Sequence, residues 1–293
     1  MKFFFSISML EPADYIAVAQ VAEASGFDGI CVPDSICSPQ VSGSALPDGL
    51  AGSREYIEGQ PVLEPMALLS ALAVATDRLR LRTLVYKLPV RNPVLAAKSA
   101  TTLAVLSGNR FDFGVGLSPW PEDYAVCAER WEARGKRMND MIDIIRGLAL
   151  GEYFSFQSEF YKIDPIQLCP VPTQRLPILV GGHSESALRR AALKSDGWLH
   201  AGGDEVELQG MIRRLQELRE EYGLSDSPFE IQVGSGKART VEGLQQLATL
   251  GVTTVGVSLA DICDNDSQSR SVSNIEEALH NYRERVIQPY ATC

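Results

Sequence analysis

No apolar run approaches the roughly 18 to 20 residues that a membrane-spanning helix needs, so a membrane-embedded function is set aside. An excess of basic residues is also missing. The formal net charge is -10, which leaves no Lys/Arg surplus to neutralise a nucleic-acid backbone or an anionic membrane. The three histidines, His183, His200 and His280, show neither H-x-x-x-H nor H-E-x-x-H spacing, and the six cysteines (Cys31, Cys37, Cys127, Cys169, Cys263 and Cys293) contain no C-x-x-C pair. A zinc hydrolase, a structural zinc site and a redox dithiol are therefore not indicated, and no metal is expected. The opening MKFFFSISML carries one lysine and a short apolar run without a small-residue cleavage site, and reads as the first strand of a cytoplasmic protein.

What is present is a soluble composition, 45% hydrophobic and 22% charged over 293 residues, with one rhythm repeated along the chain. Residues 2–8 read as a buried strand, 13–25 as a helix closed by Gly26, and FDGICVP as a second strand, the βαβ signature of a parallel sheet. Residues 34–64 lose periodicity and fill with Ser, Gly and Pro, as a long active-site loop would. Helix 65–75, strand 79–85, helix 93–106, strand 111–117 and helix 136–150 follow. Residues 151–176 break the rhythm, and the alternating aromatics of YFSFQSEFYKI predict a β-hairpin insertion. The rhythm resumes with strands at 177–180, 197–200, 229–234 and 253–258 and helices at 184–194, 204–222, 240–249 and 274–287.

Eight strands and eight helices at this length predict one (β/α)8 barrel domain over 1–293, with the hairpin before the fifth strand and the active site at the strand C-termini. The rival is a doubly wound open sheet. Its fingerprint is incomplete, because GVGLSP at 114–119 lacks the third glycine of G-x-G-x-x-G and sits at the fourth strand.

The stretch LPILVGGHSESALRRAALKSDGWLH, residues 176–200, is the sharpest local signal. Two glycines between a strand and a helix let the backbone approach a ligand, and the helix's first N–H groups and positive dipole end favour an anion. Residues 181–184 are thus a candidate phosphate cradle. The plainer alternative is a positive-φ turn followed by Ser184 as an ordinary N-cap.

Three blocks then carry a family resemblance: LVYKLPVRNPVLAAKSATTLAVLSGNRFDFGVGLSPWPEDY, ARGKRMNDMIDIIRGL, and EFYKIDPIQLCPVPTQRLPILVGGHSESALRRAALKSDGWL. In this order they resemble the bacterial luciferase-like flavin and deazaflavin oxidoreductases. The resemblance implies a (β/α)8 barrel binding FMN or the deazaflavin coenzyme F420, with Gly181, Gly182 and Ser184 at the cofactor phosphate and His183 as a further donor. It places a non-proline cis peptide behind the cofactor ring at Thr83-Leu84, and Asp34 close to that ring; a turn cap is the alternative for Asp34. Gly114 and Gly116 would let the fourth strand pass near the cofactor, or would simply permit tight strand packing. Arg134 and Arg137 match the family's basic pair, for which ion pairs with Glu129, Asp140 or Asp143 are the structural alternative to a cofactor contact. The sequence departs from the branch's glucose-6-phosphate dehydrogenases, with Ser35 and Pro119 where a histidine and an acidic residue stand there, which puts sugar phosphate oxidation in doubt.

For chemistry, His200 at a strand end is the candidate acid/base by its ordinary pKa, against a histidine merely bonded to a loop carbonyl. Trp120, in a Pro-rich loop, and Ser35 are candidates for the substrate pocket; Tyr124 and Trp198 fit core filling equally well. The expected function is F420-dependent hydride transfer to or from a small organic substrate. The alternatives are an FMN-dependent monooxygenase served by a separate reductase and a cofactor-binding barrel without turnover. A barrel isomerase or aldolase would need a strand-end lysine, for which Lys87 is the candidate. Helix 65–75, apolar on all sides, suggests a homodimer contact.

Overall fold

A computed structural model describes residues 1–40, 57–262 and 271–292. Much of the loop expected at 34–64, together with Cys263 and Cys293, lies outside the described residues. The strands are β1 (Lys2–Ser6), β2 (Gly29–Val32), β3 (Arg80–Thr83), β4 (Tyr86–Lys87), β5 (Phe111–Gly116), β6 (Phe154–Gln157), β7 (Lys162–Ile166), β8 (Ile178–Gly181), β9 (Gly197–Leu199), β10 (Glu230–Gly234) and β11 (Thr254–Val257). The order β3-β2-β1-β11-β10-β9-β8-β5, closed by pairing of β3 with β5, forms an eight-stranded parallel barrel. Closure excludes the open doubly wound sheet.

The helices are α1 (Tyr15–Ala24), α2 (Pro65–Ala75), α3 (Pro93–Leu106), α4 (Pro121–Val126), α5 (Arg134–Leu148), α6 (Glu185–Lys194), α7 (Glu205–Glu221), α8 (Val241–Thr249), α9 (Leu259–Ile262), α10 (Val272–Tyr282) and α11 (Gln288–Ala291). Eight of them are the expected helices; α4, α9 and α11 are short additions within loops or at the end. The antiparallel pair β6–β7 is the expected hairpin before β8, and it packs on α5 where Gly147 leaves room for the Phe154 ring.

Strand residues alternate between two environments, as a period of two requires. Phe3, Phe5, Ile30, Val32, Leu81, Phe111, Phe113, Val115, Ile178 and Val180 face the helices and form the hydrophobic core. The other set enters the barrel lumen, and at mid-height it is charged. Arg82 on β3 is fully buried, donates to Asp112 on β5 at 2.6 Å, and lies 2.7 Å from Glu230 on β10. It also donates to the Gln232 side chain and lies 4.0 Å over the Phe4 ring. Strands β3 and β10 are not neighbours in the sheet, so these contacts cross the lumen.

The third barrel strand is interrupted. β3 ends at Thr83 and pairing with β5 resumes in β4, with Tyr86 beside Val115 and Lys87 beside Gly116. The cis peptide bond lies in this break at Leu84-Val85, one bond later than expected at Thr83-Leu84. The physical reason is that the Leu84 N–H still donates to the Val32 carbonyl at 2.8 Å, so the strand ladder continues through Leu84. Beyond the break, Asn92 caps α3 by accepting from the N–H groups of Val94 and Leu95, and Pro93 takes the first helical position. This turn brings Arg91 back toward β2.

Arg137 forms the expected ion pair with Glu129, and Arg134 lies 3.5 Å over the Trp131 ring. Their role is to brace the segment before α5. In α2, Leu68, Leu69 and Leu72 are buried, whereas Val74 is 75% exposed, so most of its apolar character serves the barrel.

The Arg82 cluster generates a stability prediction. Replacing Arg82 with Met leaves the buried Asp112 and the half-buried Glu230 carboxylates without their shared cation and should lower unfolding free energy by about 3 to 5 kcal/mol. Burial, the largest single influence, would raise the pKa values of Asp112 and Glu230, but Arg82 together with Arg80 at Asp112, and with Lys2 and the Thr254 hydroxyl at Glu230, holds both below their ordinary values. Their contribution is therefore complete above the ordinary carboxylate range and is lost as pH falls through the lower folded-state values. Denaturant midpoints measured between pH 6 and 3 should fall on acidification for the parent and change less for R82M. Equal midpoints for the two proteins at pH 6 would refute the role given to Arg82.

Candidate active site at the barrel mouth

Every barrel strand contributes its C-terminal end to one cavity of about 870 Å³. The last lumen-facing positions are small, Ser6, Gly116, Gly181, Gly234 and Gly256, and this hollows the mouth above the Arg82 cluster. The glycines are not equivalent. A Cβ at Gly234 would meet nothing within 4 Å, whereas one at Gly181 would come within 2.8 Å of Val85, and one at Gly116 would also strike Val85. Val85 thus sits in the room those two glycines leave. Gly114 lies lower, its space taken by the Thr83 carbonyl and Leu199, and the Thr83 hydroxyl donates to the Gly114 carbonyl at 2.6 Å. Thr83 and Gly114 therefore form the layer beneath the mouth, while Leu84 and Gly116 line it.

A larger concavity of about 1120 Å³ lies at the opposite, N-terminal end of the strands. Its charged groups are engaged with one another, as in Lys2–Glu230 at 3.0 Å, Arg146–Asp196 at 2.9 Å and Arg175–Asp196 at 2.8 Å. This is the stabilising end of a barrel.

The turn after β8 joins the mouth through Gly181, Gly182 and Ser184. Gly182 has φ +127°, a backbone region that L side chains rarely adopt. Its carbonyl accepts from the Trp198 indole N–H at 2.8 Å, which pins the turn, and Ser184 Oγ accepts from the Ala187 N–H. A neutral hydroxyl is therefore the cap of α6. Glu185, in the first turn, is drawn to Arg189 and Arg214 on the outer surface. The next turn, Gly202–Gly203–Asp204, looks similar in sequence but differs electrostatically. The Asp204 carboxylate accepts from Val206 and Glu207 N–H, so an anionic group already caps α7.

His183 turns its ring onto His200, with centroids 4.7 Å apart and planes at 18°, and its Nε2 accepts from the Ala201 N–H at 3.2 Å. His200 lines the mouth and is 4% exposed. Its Nδ1 accepts from the Gly202 N–H at 3.3 Å, which puts the proton of the neutral ring on Nε2, and the ring also interacts with the Gly234 backbone. Burial first, and the neighbouring His183 second, push the His200 pKa down to about 4. At neutral pH this imidazole is an uncharged N–H donor. Trp198 is fully buried and belongs to the helix-facing core.

Asp34 neither stands alone nor caps a helix. Arg91 grips it through both terminal nitrogens, at 2.6 and 3.0 Å, and its Oδ2 accepts the Lys87 backbone N–H at 2.8 Å. Ser35 and Trp120 line the mouth beside it. Lys87 extends to Asp123, Nζ to Oδ2 at 2.6 Å, and the same oxygen accepts from the Ser118 hydroxyl at 2.6 Å. The structure thus brings together Asp34, Ser35, Leu84, Gly116, Trp120, Gly181, Gly182, Ser184 and His200 around one cavity. The sequence reading missed Val85 and Arg91 and considered Lys87 in one role. The signal was the spacing of Lys87 and Arg91 around the turn before Asn92-Pro93, whose partners lie more than 30 residues away.

A closed parallel barrel with one cavity at the C-terminal ends of its strands is the architecture of a barrel enzyme. The sequence model of luciferase-like monooxygenases matches residues 6–238, and the chain belongs to that family of oxidoreductases. An uncharacterized protein of Mycobacterium bovis is 48% identical over 255 residues, covering 87% of this chain and 88% of that protein. An FMNH(2)-dependent dimethylsulfone monooxygenase of Pseudomonas fluorescens is 28% identical over 175 residues, 59% of this chain and 47% of that one. Among solved structures, the coenzyme F420-dependent tetrahydromethanopterin reductase from Methanopyrus kandleri superposes with a TM-score of 0.77 at 14% identity, covering 99% of each chain.

The His200 environment yields a titration prediction. Its folded value near 4 lies below the ordinary 6.5, so between these limits the unfolded chain binds the extra proton and folding weakens as pH falls through that window. The ring C–H resonances of His200 should hold constant from pH 8 to about 5.5 in an NMR titration. A transition centred near 6.5 would restore it as a proton-exchanging group.

Proposed function

We propose that the protein uses the deazaflavin coenzyme F420 for two-electron hydride transfer to or from a small, apolar organic substrate. The observation that carries this reading is that one cavity of about 870 Å³ contains both the neutral-capped α6 turn and an apolar wall. Met9, Ile57, Val62, Leu84, Val85 and Trp120 supply that wall, and the volume is within the range of about 300 to 1,000 Å³ usual for small-molecule sites. A flat ring with a phosphorylated tail fits the two halves. Gly181, Gly182 and Ser184, with the first N–H groups of α6, would hold the phosphate. When bound, the coenzyme supplies the hydride chemistry. The chain's own contribution is to orient both reactants and to exclude water, with the His200 N–H as a fixed donor.

F420 is preferred because SGNRFDFGVG and VGGHSESALRRAA resemble the deazaflavin branch. Ser35 and Pro119 line the mouth where the sugar-phosphate enzymes carry a histidine and an acidic residue, which favours an apolar substrate. The second reading is an FMN-dependent monooxygenase with a separate reductase, favoured by the 28% identity to a relative of that description. The barrel over 1–293 would act as a single unit. Exposed Val74 on α2 and Leu95 and Leu106 on α3 are where a homodimer contact would lie.

Absorbance titration with F420 and with FMN separates the two readings. Saturable binding of F420 at micromolar concentration is expected, and binding of FMN alone would overturn the deazaflavin assignment. Gly182→Ala places a Cβ 2.9 Å from Ala187 in a backbone conformation costing about 1 to 3 kcal/mol for a side chain. It should weaken coenzyme binding at least tenfold; unchanged affinity would remove this turn as the phosphate site.

A further inference from the structure

The geometry points to Lys87 as the residue that holds the substrate's oxygen and protonates it, which makes the substrate a small, uncharged carbonyl compound or, in reverse, the matching alcohol. This rests on the hydride-transfer reading above. Lys87 is the one Lys or Arg among the described residues lining the mouth. It is 8% exposed, and of its three N–H donors one is engaged, by Asp123. The other charged groups of the lining are neutralised within the protein: Asp34 by Arg91, and Asp261 by Arg239 with the Ser258 hydroxyl.

A surface lysine roams, but this one is held from both ends. Asp34 accepts its backbone N–H, Arg91 donates to its carbonyl at 3.1 Å, and β4 pairs it with Gly116. Asp123, fully buried and tied to Ser118, fixes the ammonium. Asp34, Arg91 and Asp123 are positioning residues that act through Lys87. The two remaining donors belong to the one cation among the mouth's described residues, where the neighbouring lining is apolar side chains, serines and the Arg91-paired Asp34 and charge-assisted hydrogen bonding to an oxygen is strong.

In the reductive direction the coenzyme, when bound, would supply a hydride to the carbonyl carbon, and the carbon–oxygen π pair would move to the oxygen held at Lys87 Nζ. Oxygen takes a proton from Lys87 Nζ. The product would be the alcohol, with the coenzyme oxidised by two electrons and the proton restored to Lys87 Nζ from solvent. Oxidation of the alcohol would run the same steps backward.

The test uses benzoate and toluene, of similar shape and differing in the charged oxygens, as calorimetric probes of the full chain without coenzyme. The parent should bind benzoate at least tenfold tighter than toluene. K87M should lose that preference while toluene affinity stays within threefold. K87M removes the cation from the buried Asp123, so K87Q, which retains an N–H donor for Asp123, serves as the second variant, and parent-like melting identifies the folded protein. A separate F420 titration should give affinities within threefold for the parent and K87Q. Benzoate affinity retained in K87Q, or no benzoate preference in the parent, would overturn the assignment whatever F420 does. Loss of the preference in K87Q together with no F420 binding by the parent would overturn the hydride reading while supporting Lys87 as the oxygen-holding cation.

Discussion

A single buried guanidinium organises the lumen. Arg82 has no solvent exposure, and its partners Asp112, Glu230 and Gln232 come from strands that meet across the barrel. Removing a cation and two carboxylates from water is expensive, and the arrangement is tolerable because each charge faces an opposite one. Asp112 also receives Arg80, and Glu230 receives Lys2 and the Thr254 hydroxyl, so the carboxylates' remaining lone pairs are satisfied. A slip of one residue in β3 would turn Arg82 toward the helices and Leu81 into the lumen, so the cluster specifies register as well as stability.

The cluster also divides the barrel into a floor and a mouth. Gln232 spans the boundary, since its Oε1 accepts from Arg82 below while its side chain contributes to the cavity above. Above that level the strands carry glycine and serine, and the space is shaped by loops instead. Two ion pairs fasten these loops. Asp34–Arg91 joins the end of β2 to the turn after β4, and Lys87–Asp123 joins β4 to α4. The mouth is asymmetric as a result: most of the large apolar side chains, Lys87 and the paired Asp34 lie on the β1–β5 side, and most of the glycine backbone, with Leu199, His200 and Gln232, lies on the β8–β11 side.

Much of this was legible from local pattern. Short apolar runs such as FDGICVP and LPILV mark strands because both faces are buried, and VGGHSE marks a strand-to-helix turn because only glycine tolerates φ +127° at 182. Other features were illegible for a physical reason. The partner of Arg82 in Gln232 lies 150 positions away and that of Asp34 in Arg91 lies 57 away, and no periodicity reports such pairings. The cis bond was placed one position early because its location depends on where the Val32 carbonyl stops finding a partner, a property of the β2–β3 ladder. His200 looked suited to proton exchange from its residue type, and burial against His183 is what moves it out of the neutral range.

The two neighbouring glycine pairs show how little of a site resides in its motif. VGGHSE and AGGDE both follow strands, both precede helices of ten residues or more, and both contain glycines with positive φ. Helix dipoles would favour an anion at either N-terminus. At α7 the Asp204 carboxylate already accepts two of the free N–H groups, with Glu205 and Glu207 alongside, so a second anion would meet repulsion and few donors. At α6 the serine cap satisfies one N–H without adding charge, and the nearby Glu185 is compensated by two arginines on the outer surface. On the proposed reading, the difference between an anion site at α6 and an ordinary helix start at α7 would turn on one side chain, a hydroxyl against a carboxylate.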